Sequence, residues 1–239
     1  MSIWNRIGDF IQRLSSSTAH GVADMVEAVR TLFAGDPELR RKVAFSVAMI
    51  ALSAKMAKAD GVVTQDEVRA FQAIFEVPPQ EARNVARLYD LAKQDTAGFE
   101  VYARQMAGLC GNGGPNCMML EDILDGLFHI ATADGVLHER EEGFLRRVAE
   151  IFSIAEDHYQ TILSRHVELG TADPYIVLGI ERGQPLAEVK RHYRKLVAEN
   201  HPDRLIGRGL PQEFIAIATT RLAAINAAYE LIERSLQAA

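Results

Sequence analysis

Between Val43 and Val167 the apolar residues return every three or four positions, and nowhere do they alternate strictly enough to build a strand. That periodicity confines the segment to helices. It predicts them over Val43–Lys58, Asp66–Phe75, Pro79–Gln94, Gly98–Leu109, Met119–Thr132, Glu139–Phe152 and Glu156–Val167. Asp60-Gly61, Pro78-Pro79, the run GNGGPN and Asp134-Gly135 separate them as turns. Asp36-Pro37 is a start signal, with the Asp as cap and the Pro at the first helical position. The most apolar window, Val43–Ala54, has twelve residues. As a helix it spans roughly 18 Å, short of the about 30 Å of a bilayer's hydrocarbon, and it is expected to be a buried core helix.

Upstream, Ile3, Ile7, Phe10, Ile11 and Leu14 recur at helical spacing beside Trp4. Arg6, Asp9 and Arg13 mix signs too evenly for strong attraction to anionic lipid, so a helix docked on the body or on a second copy is favoured over an interfacial anchor. Residues 15–18 form a linker and Val22–Phe33 a further short helix. Met1–Leu14 lacks the basic start and continuous apolar stretch of a secretory leader. Cys110 and Cys117 flank the Gly-rich run at a spacing foreign to zinc knuckles, and are expected to be reduced cytosolic thiols.

Two segments 74 residues apart echo each other: AKADGVVTQDEVRAF (57–71) and ATADGVLHEREEGFL (131–145). Such a repeat implies two related helix–turn–helix halves. Gly61 and Gly135 supply the left-handed conformation at the turns. Thr64 to Glu67 then makes a capping box; the second copy has the poorer cap His138 but keeps Glu141. The alternative is a divalent-cation site built from Asp60, Glu67, Asp134 and Glu141, with His138. The spacing is not that of an EF-hand, and capping accounts for both copies without metal. Paired ADG turns in an acidic, all-helical segment resemble the TerB-like fold of tellurite-resistance proteins, over roughly residues 40–168. In that family the acidic turn residues are suspected metal ligands, and the resemblance implies that option here.

A second unit begins at TADPYIVLGI (171–180), with Asp173 as cap and Pro174 opening a helix. Charge divides at this boundary: residues 1–172 carry 17 Lys+Arg against 24 Asp+Glu, residues 173–239 carry 9 against 8. The acidic body and the net charge of −6 argue against general nucleic-acid binding. The next helix starts at Pro185 and runs to about Asn200. At 100° per residue from Lys190, Val189, Tyr193 and Leu196 fall at about 260°, 300° and 240°, whereas Lys190, Arg191, Arg194 and Lys195 fall at about 0°, 100°, 40° and 140°. One side is apolar, and the other reads as four cations without an interleaved acid, suited to an acidic partner surface.

His201-Pro202-Asp203 follows. Pro202 disfavours helical geometry at His201 and fixes its own φ, so the corner is stiff. A loop through RLIGRGLP leads to a third helix, about Gln212 to Ser235, whose Ile217, Leu222, Ile225, Tyr229 and Ile232 are expected to pack on Val189, Tyr193 and Leu196. The product is a helical hairpin with the tripeptide at its tip. A hydrolytic role for His201 and Asp203 lacks a neighbouring Ser or Cys nucleophile and a pocket that excludes water. A rigid recognition corner fits better.

DPYIVLGI, PLAEVKRHYRKLVAENHPDR and INAAYELI together resemble the J-domain of DnaJ-type co-chaperones, across residues 173–234. The resemblance implies that the corner and the basic helix dock on a DnaK-type ATPase and stimulate its ATP hydrolysis. By motif position His201, Pro202 and Asp203 would carry stimulation, Lys190, Arg191, Arg194 and Lys195 would supply electrostatic contacts, and Tyr193 would pack. His192 departs from the small residue of many J-domains, and RLAAINAAY replaces the usual third-helix stretch. No Gly/Phe-rich linker or cysteine zinc region follows the J-like segment, unlike a general DnaJ. A TerB-like body before a J-domain resembles the DjlA group of bacterial co-chaperones. That group's membrane-spanning start is not matched, so an inner-membrane location is not carried over.

The expectation is an all-α chain: an N-terminal segment (1–36), a TerB-like bundle (37–169) and a J-domain (173–239). It would be a non-enzymatic, cytoplasmic co-chaperone, peripheral to the inner membrane at most. It would need no cofactor, and its body would select a client or partner. The alternative is a metal-binding stress protein whose body is the active part. No Walker-type phosphate loop is present, so low intrinsic ATPase activity is expected.

Overall fold

The computed structural model describes residues 35–60, 71, 74, 82–94, 98–108, 118–166, 172–207 and 215–237, and all regular elements among them are helices. The two expected N-terminal helices, Gly61 to Glu67 of the first ADG turn, and Cys110 and Cys117 lie outside the described residues.

α1 (Pro37–Asp60) starts where the sequence signals it: the Leu39 amide donates to Asp36 Oδ1 at 3.0 Å. From Val43 to Ala57 the helix is buried on every side, with Ser46, Ser53 and Lys55 the polar exceptions. A helix apolar around its whole circumference has to be the centre of a bundle. α2 (Ala82–Gln94), α3 (Phe99–Gly108), α4 (Met118–Ala131) and α5 (Glu139–Ile151) pack around it. α6 (Glu156–His166) closes the body against α4, with Tyr159 and Ile162 in the same core. The expected apolar window is thus a core helix.

The terminal unit has α7 (Pro174–Leu178), α8 (Leu186–Glu199), α9 (Pro202–Gly207) and α10 (Ile215–Gln237). Asp173 Oδ1 accepts from the Tyr175 amide at 3.0 Å, and Pro174 sits in the first turn. Gly179 ends α7 at φ +64°, a conformation that side chains resist. The following Ile180 amide then returns to Tyr175 O at 3.0 Å. Val189, Ile225 and Ile232 are buried between α7, α8 and α10. Tyr193 stacks on Tyr229 with centroids 4.1 Å apart, and its hydroxyl donates to Asn226 Oδ1 at 3.0 Å. His192 donates through Nε2 to Leu178 O at 2.8 Å, tying α8 to the end of α7. The unusual histidine is therefore absorbed as a helix-to-helix tie.

Two expectations need correction. The segment after the tripeptide is not simply a loop, because residues 202–207 form α9: the proline that cannot continue α8 is well placed to open a new helix. Of the five residues expected to close the hairpin, Ile225, Tyr229 and Ile232 do so, but Ile217 joins the body core and Leu222 joins neither core. The reason is length. α10 has 23 residues and α8 has 14, about 35 Å against about 21 Å, so the first turns of α10 overhang onto the body. Gly126 of α4 makes room there: a Cβ on it would lie 2.7 Å from Met49 Cε and 3.0 Å from Ile217 Cδ1.

α10 is also long and apolar enough to cross a membrane by length and composition. In this fold it packs on α7, α8 and the body, and it carries the buried Arg221.

Ile225 is fully buried between the helices of the hairpin. Ile225→Ala is expected to lower the unfolding free energy by about 2–5 kcal/mol, measured by urea denaturation.

Candidate functional site: the corner and its seat

The His-Pro-Asp tripeptide follows the end of α8 and opens α9. Asn200 closes α8; its backbone amide and its Nδ2 both donate to Leu196 O, at 2.9 and 2.8 Å. His201 then acts as the cap of α9. Its carbonyl accepts from the Arg204 and Leu205 amides at 3.0 and 3.1 Å, and its Nδ1 accepts from the Asp203 amide at 3.3 Å. Pro202 takes the first helical position, where a missing amide hydrogen costs nothing, and Asp203 lies in the first turn, where a carboxylate suits the helix dipole. Asp203 Oδ2 stands 3.6 Å from His201 Nδ1.

The side chains of the corner point outward: His201 is 53% exposed and Asp203 89%. Lys190, Arg191, Arg194 and Lys195 are all exposed as well. Arg191 and Lys195 line one wall of a hollow of about 500 Å³, shared with His192, Glu181 and Glu188; Lys190 and Arg194 do not line it. Lys195 also stands 4.0 Å from Glu199. The stripe is therefore not free of acids, as the spacing of the cations alone had implied. Glu188 and Glu199 fall at about 160° and 180° on the same wheel, beside Lys195.

Directly behind the corner is a polar cluster that joins the terminal unit to the body. Arg221 of α10 is only 5% exposed. Its Nε donates to Asp125 Oδ2 at 2.9 Å, its Nη2 to Asp122 Oδ1 at 2.8 Å, and its Nη1 to Asn200 Oδ1 at 3.1 Å. The other oxygen of Asp125 accepts from His166 Nε2 at 3.0 Å, and the His166 ring stacks on Phe128. Burial pushes the Asp125 carboxyl up, but Arg221 and His166 outweigh it and hold the group below the usual carboxylate range. Asp122 goes the other way: burial outweighs Arg221, and its neighbour Asp125 adds repulsion. Burial opposes the charge on Arg221, yet the two carboxylates raise its pKa further. Desolvation brings nearby Arg165 down to about 10.

None of these network residues was singled out from the sequence. The signal was present. Arg221 lies four residues from both Ile217 and Ile225, on the buried face of α10, and Asp122 and Asp125 interrupt the apolar helix MMLEDILDGLFHIA. A charge on a face otherwise made for burial is rarely left without a partner.

The residues of the alternative metal reading are placed differently. In the second ADG turn, Gly135 has φ +88°. Asp134 Oδ1 accepts from the Val136 amide at 3.0 Å, and its Oδ2 stands 3.7 Å from His138 Nε2. The buried Glu141 reaches back to the His138 amide at 3.1 Å, as a capping box requires. Asp60 ends α1, and Glu67 lies outside the described residues. Among the described residues no group of three or more His, Cys, Asp or Glu is arranged to hold a metal ion.

Breaking the network on one side leaves a buried charge behind. Arg221→Met is expected to cost about 3–5 kcal/mol of stability. The two acids have opposite pH signatures. Ionised Asp125 contributes its full stabilisation above the ordinary Asp range and loses it as pH falls through its depressed folded value. The raised value of Asp122 makes its protonation on acidification favourable to the fold. Denaturation from pH 7 towards pH ~3 is therefore expected to show the deficit of Asp125→Asn shrinking, and that of Asp122→Asn growing, relative to the unaltered chain.

Comparison with known proteins agrees with this architecture. The model of the tellurite resistance protein TerB matches residues 46–164, and that of the DnaJ domain matches residues 173–237. The co-chaperone protein DjlA of Photobacterium profundum is 30% identical over 220 residues, covering 81% of this chain and 78% of that protein. Proteins of the same name from Coxiella burnetii (28%, covering 75% and 73%) and Escherichia coli K12 (26%, covering 81% and 80%) are also similar. No solved structure matches. With a helical body, a DnaJ domain after it, and a relative of this identity along four-fifths of its length, the chain belongs to the DjlA family of co-chaperone proteins.

Proposed function

We propose that the terminal unit, residues 173–239, docks on a DnaK-type chaperone and stimulates its ATP hydrolysis, and that the body, residues 37–169, selects a client or partner. The protein itself performs no chemistry on this reading; it regulates a partner's. It works in the cytoplasm, where Cys110 and Cys117 stay reduced. One observation carries the reading: the His201 and Asp203 side chains project into solvent while Asn200 before them and Leu205 after them are buried. The corner is held from behind and offered from in front.

The residues have distinct parts. Asp203 accepts a charge-assisted bond from a cation of the chaperone. Pro202 and the cap made by His201 fix where that carboxylate stands. Lys190, Arg191, Arg194 and Lys195 attract an acidic surface and raise the rate of encounter. With Glu181, Glu188 and Glu199 among them, this attraction is local rather than a property of the whole face.

Steady-state ATP turnover of a DnaK-type chaperone tests this. Asp203→Asn is expected to lower stimulation roughly 10- to 100-fold, the worth of one hydrogen bond to a charged group. Replacing the four cations with alanine is expected to raise the concentration for half-maximal stimulation several-fold at low salt, and the difference is expected to fade at about 0.5 M salt. An unaltered protein that leaves turnover at the basal rate overturns the proposal.

A further inference from the structure

Asn200 and Leu205 bracket the four residues of the corner, and both belong to the seam with the body. Asn200 is tied through Arg221 to Asp122 and Asp125. Leu205 is 1% exposed and lies in the body core together with Ile217 and Ala218. His201 to Arg204 span the gap between these anchors, with His201, Asp203 and Arg204 exposed. The hairpin's own core, by contrast, includes neither anchor.

We infer that Arg221 is a positioning residue: seated on Asp122 and Asp125 of the body, it holds Asn200 and thereby aims the His-Pro-Asp corner at the chaperone. The body is thus part of the stimulating device as well as a selector of partners. This rests on the function proposed above.

The geometry favours positioning over occlusion. The bonds of Arg221 reach the corner through Asn200, and none of them involves His201 or Asp203. The guanidinium fork fixes direction as well as distance, because three of its nitrogens are engaged by acceptors on two elements of the body-to-hairpin seam. The exposed cations on α8 are untouched by this arrangement. Loosening the seat is therefore expected to spare encounter and reduce what happens after it.

Substitution at Asn200 separates this role from simple helix capping. Asn200→Ala and Asn200→Asp both lose the Nδ2 bond to Leu196 O, but only Asp keeps an acceptor for Arg221. In the full chain, Asn200→Ala is expected to lower the maximal stimulated ATP turnover about 3- to 10-fold, as for one lost hydrogen bond, with the half-maximal concentration changed by less than about twofold. Asn200→Asp is expected to retain at least half the unaltered maximum. Hydrogen exchange of the Asp203 to Leu205 amides without chaperone should be faster in the Ala variant than in the Asp variant. The triple replacement Asp122→Asn, Asp125→Asn, Arg221→Met removes the seat by neutralising both acids together with the guanidinium, and is expected to match Asn200→Ala if thermal melting shows it folded.

An unaltered protein that fails to stimulate sinks the proposed function itself. If it stimulates, while the Ala and Asp variants fall equally or not at all, the assignment of Arg221 is wrong. A folded triple variant with the unaltered maximum has the same consequence.

Discussion

The structure turns on one buried guanidinium. Arg221 is buried, so its position is dictated by the groups that can replace solvent: Asp122 and Asp125 on the body, and the carbonyl of the Asn200 side chain on the hairpin. A buried ion pair of this kind is a poor source of net stability, since desolvation consumes most of its attraction. Its value lies in geometry. An apolar seam tolerates sliding by a fraction of a turn, whereas a guanidinium satisfied from several directions does not. The seam between the two units is accordingly specified by charge, with Ile217, Ala218 and Leu205 supplying the apolar contact around it.

This bears on how the chain divides. The two family matches meet near residue 170, and the polypeptide has two apolar cores. The cores do not divide at that point, however. Residues after 200 contribute to the first core, because α10 is too long for the hairpin it belongs to and its first turns have to be buried somewhere. The absence of a side chain at Gly126 gives Ile217 a place to rest. The terminal unit is therefore attached by its tip as well as by its linker, and the tip is where the His-Pro-Asp corner lies.

The two ADG turns illustrate how a recurring motif can be read in more than one way. Acidic residues repeated at a fixed offset suggest ligands, and they equally suggest turns and caps. In the copy that is described, Asp134 and Glu141 serve backbone amides that would otherwise lack partners, and Gly135 supplies the left-handed step between them. Those groups account for the acidic residues at this turn.

Local order was legible from residues alone. Among the described residues, the three- and four-residue spacing of apolar side chains placed the helices of the body to within a few residues, since burial imposes that period on any helix with one packed face; the expected helix Asp66–Phe75 lies largely outside them. Asp36, Asp173 and His138 marked helix starts because a cap acts on amides within its own turn. The tripeptide was recognisable for the same reason: Pro202 constrains its neighbours through covalent geometry. What no spacing rule supplied was which charged residues would meet. Asp122 and Arg221 are 99 positions apart, and Asn200 reaches neither acid without Arg221 between them. Only the packed chain brings these groups together, because their attraction becomes strong only where water is excluded, and the seam that excludes it exists only after both helical units have formed.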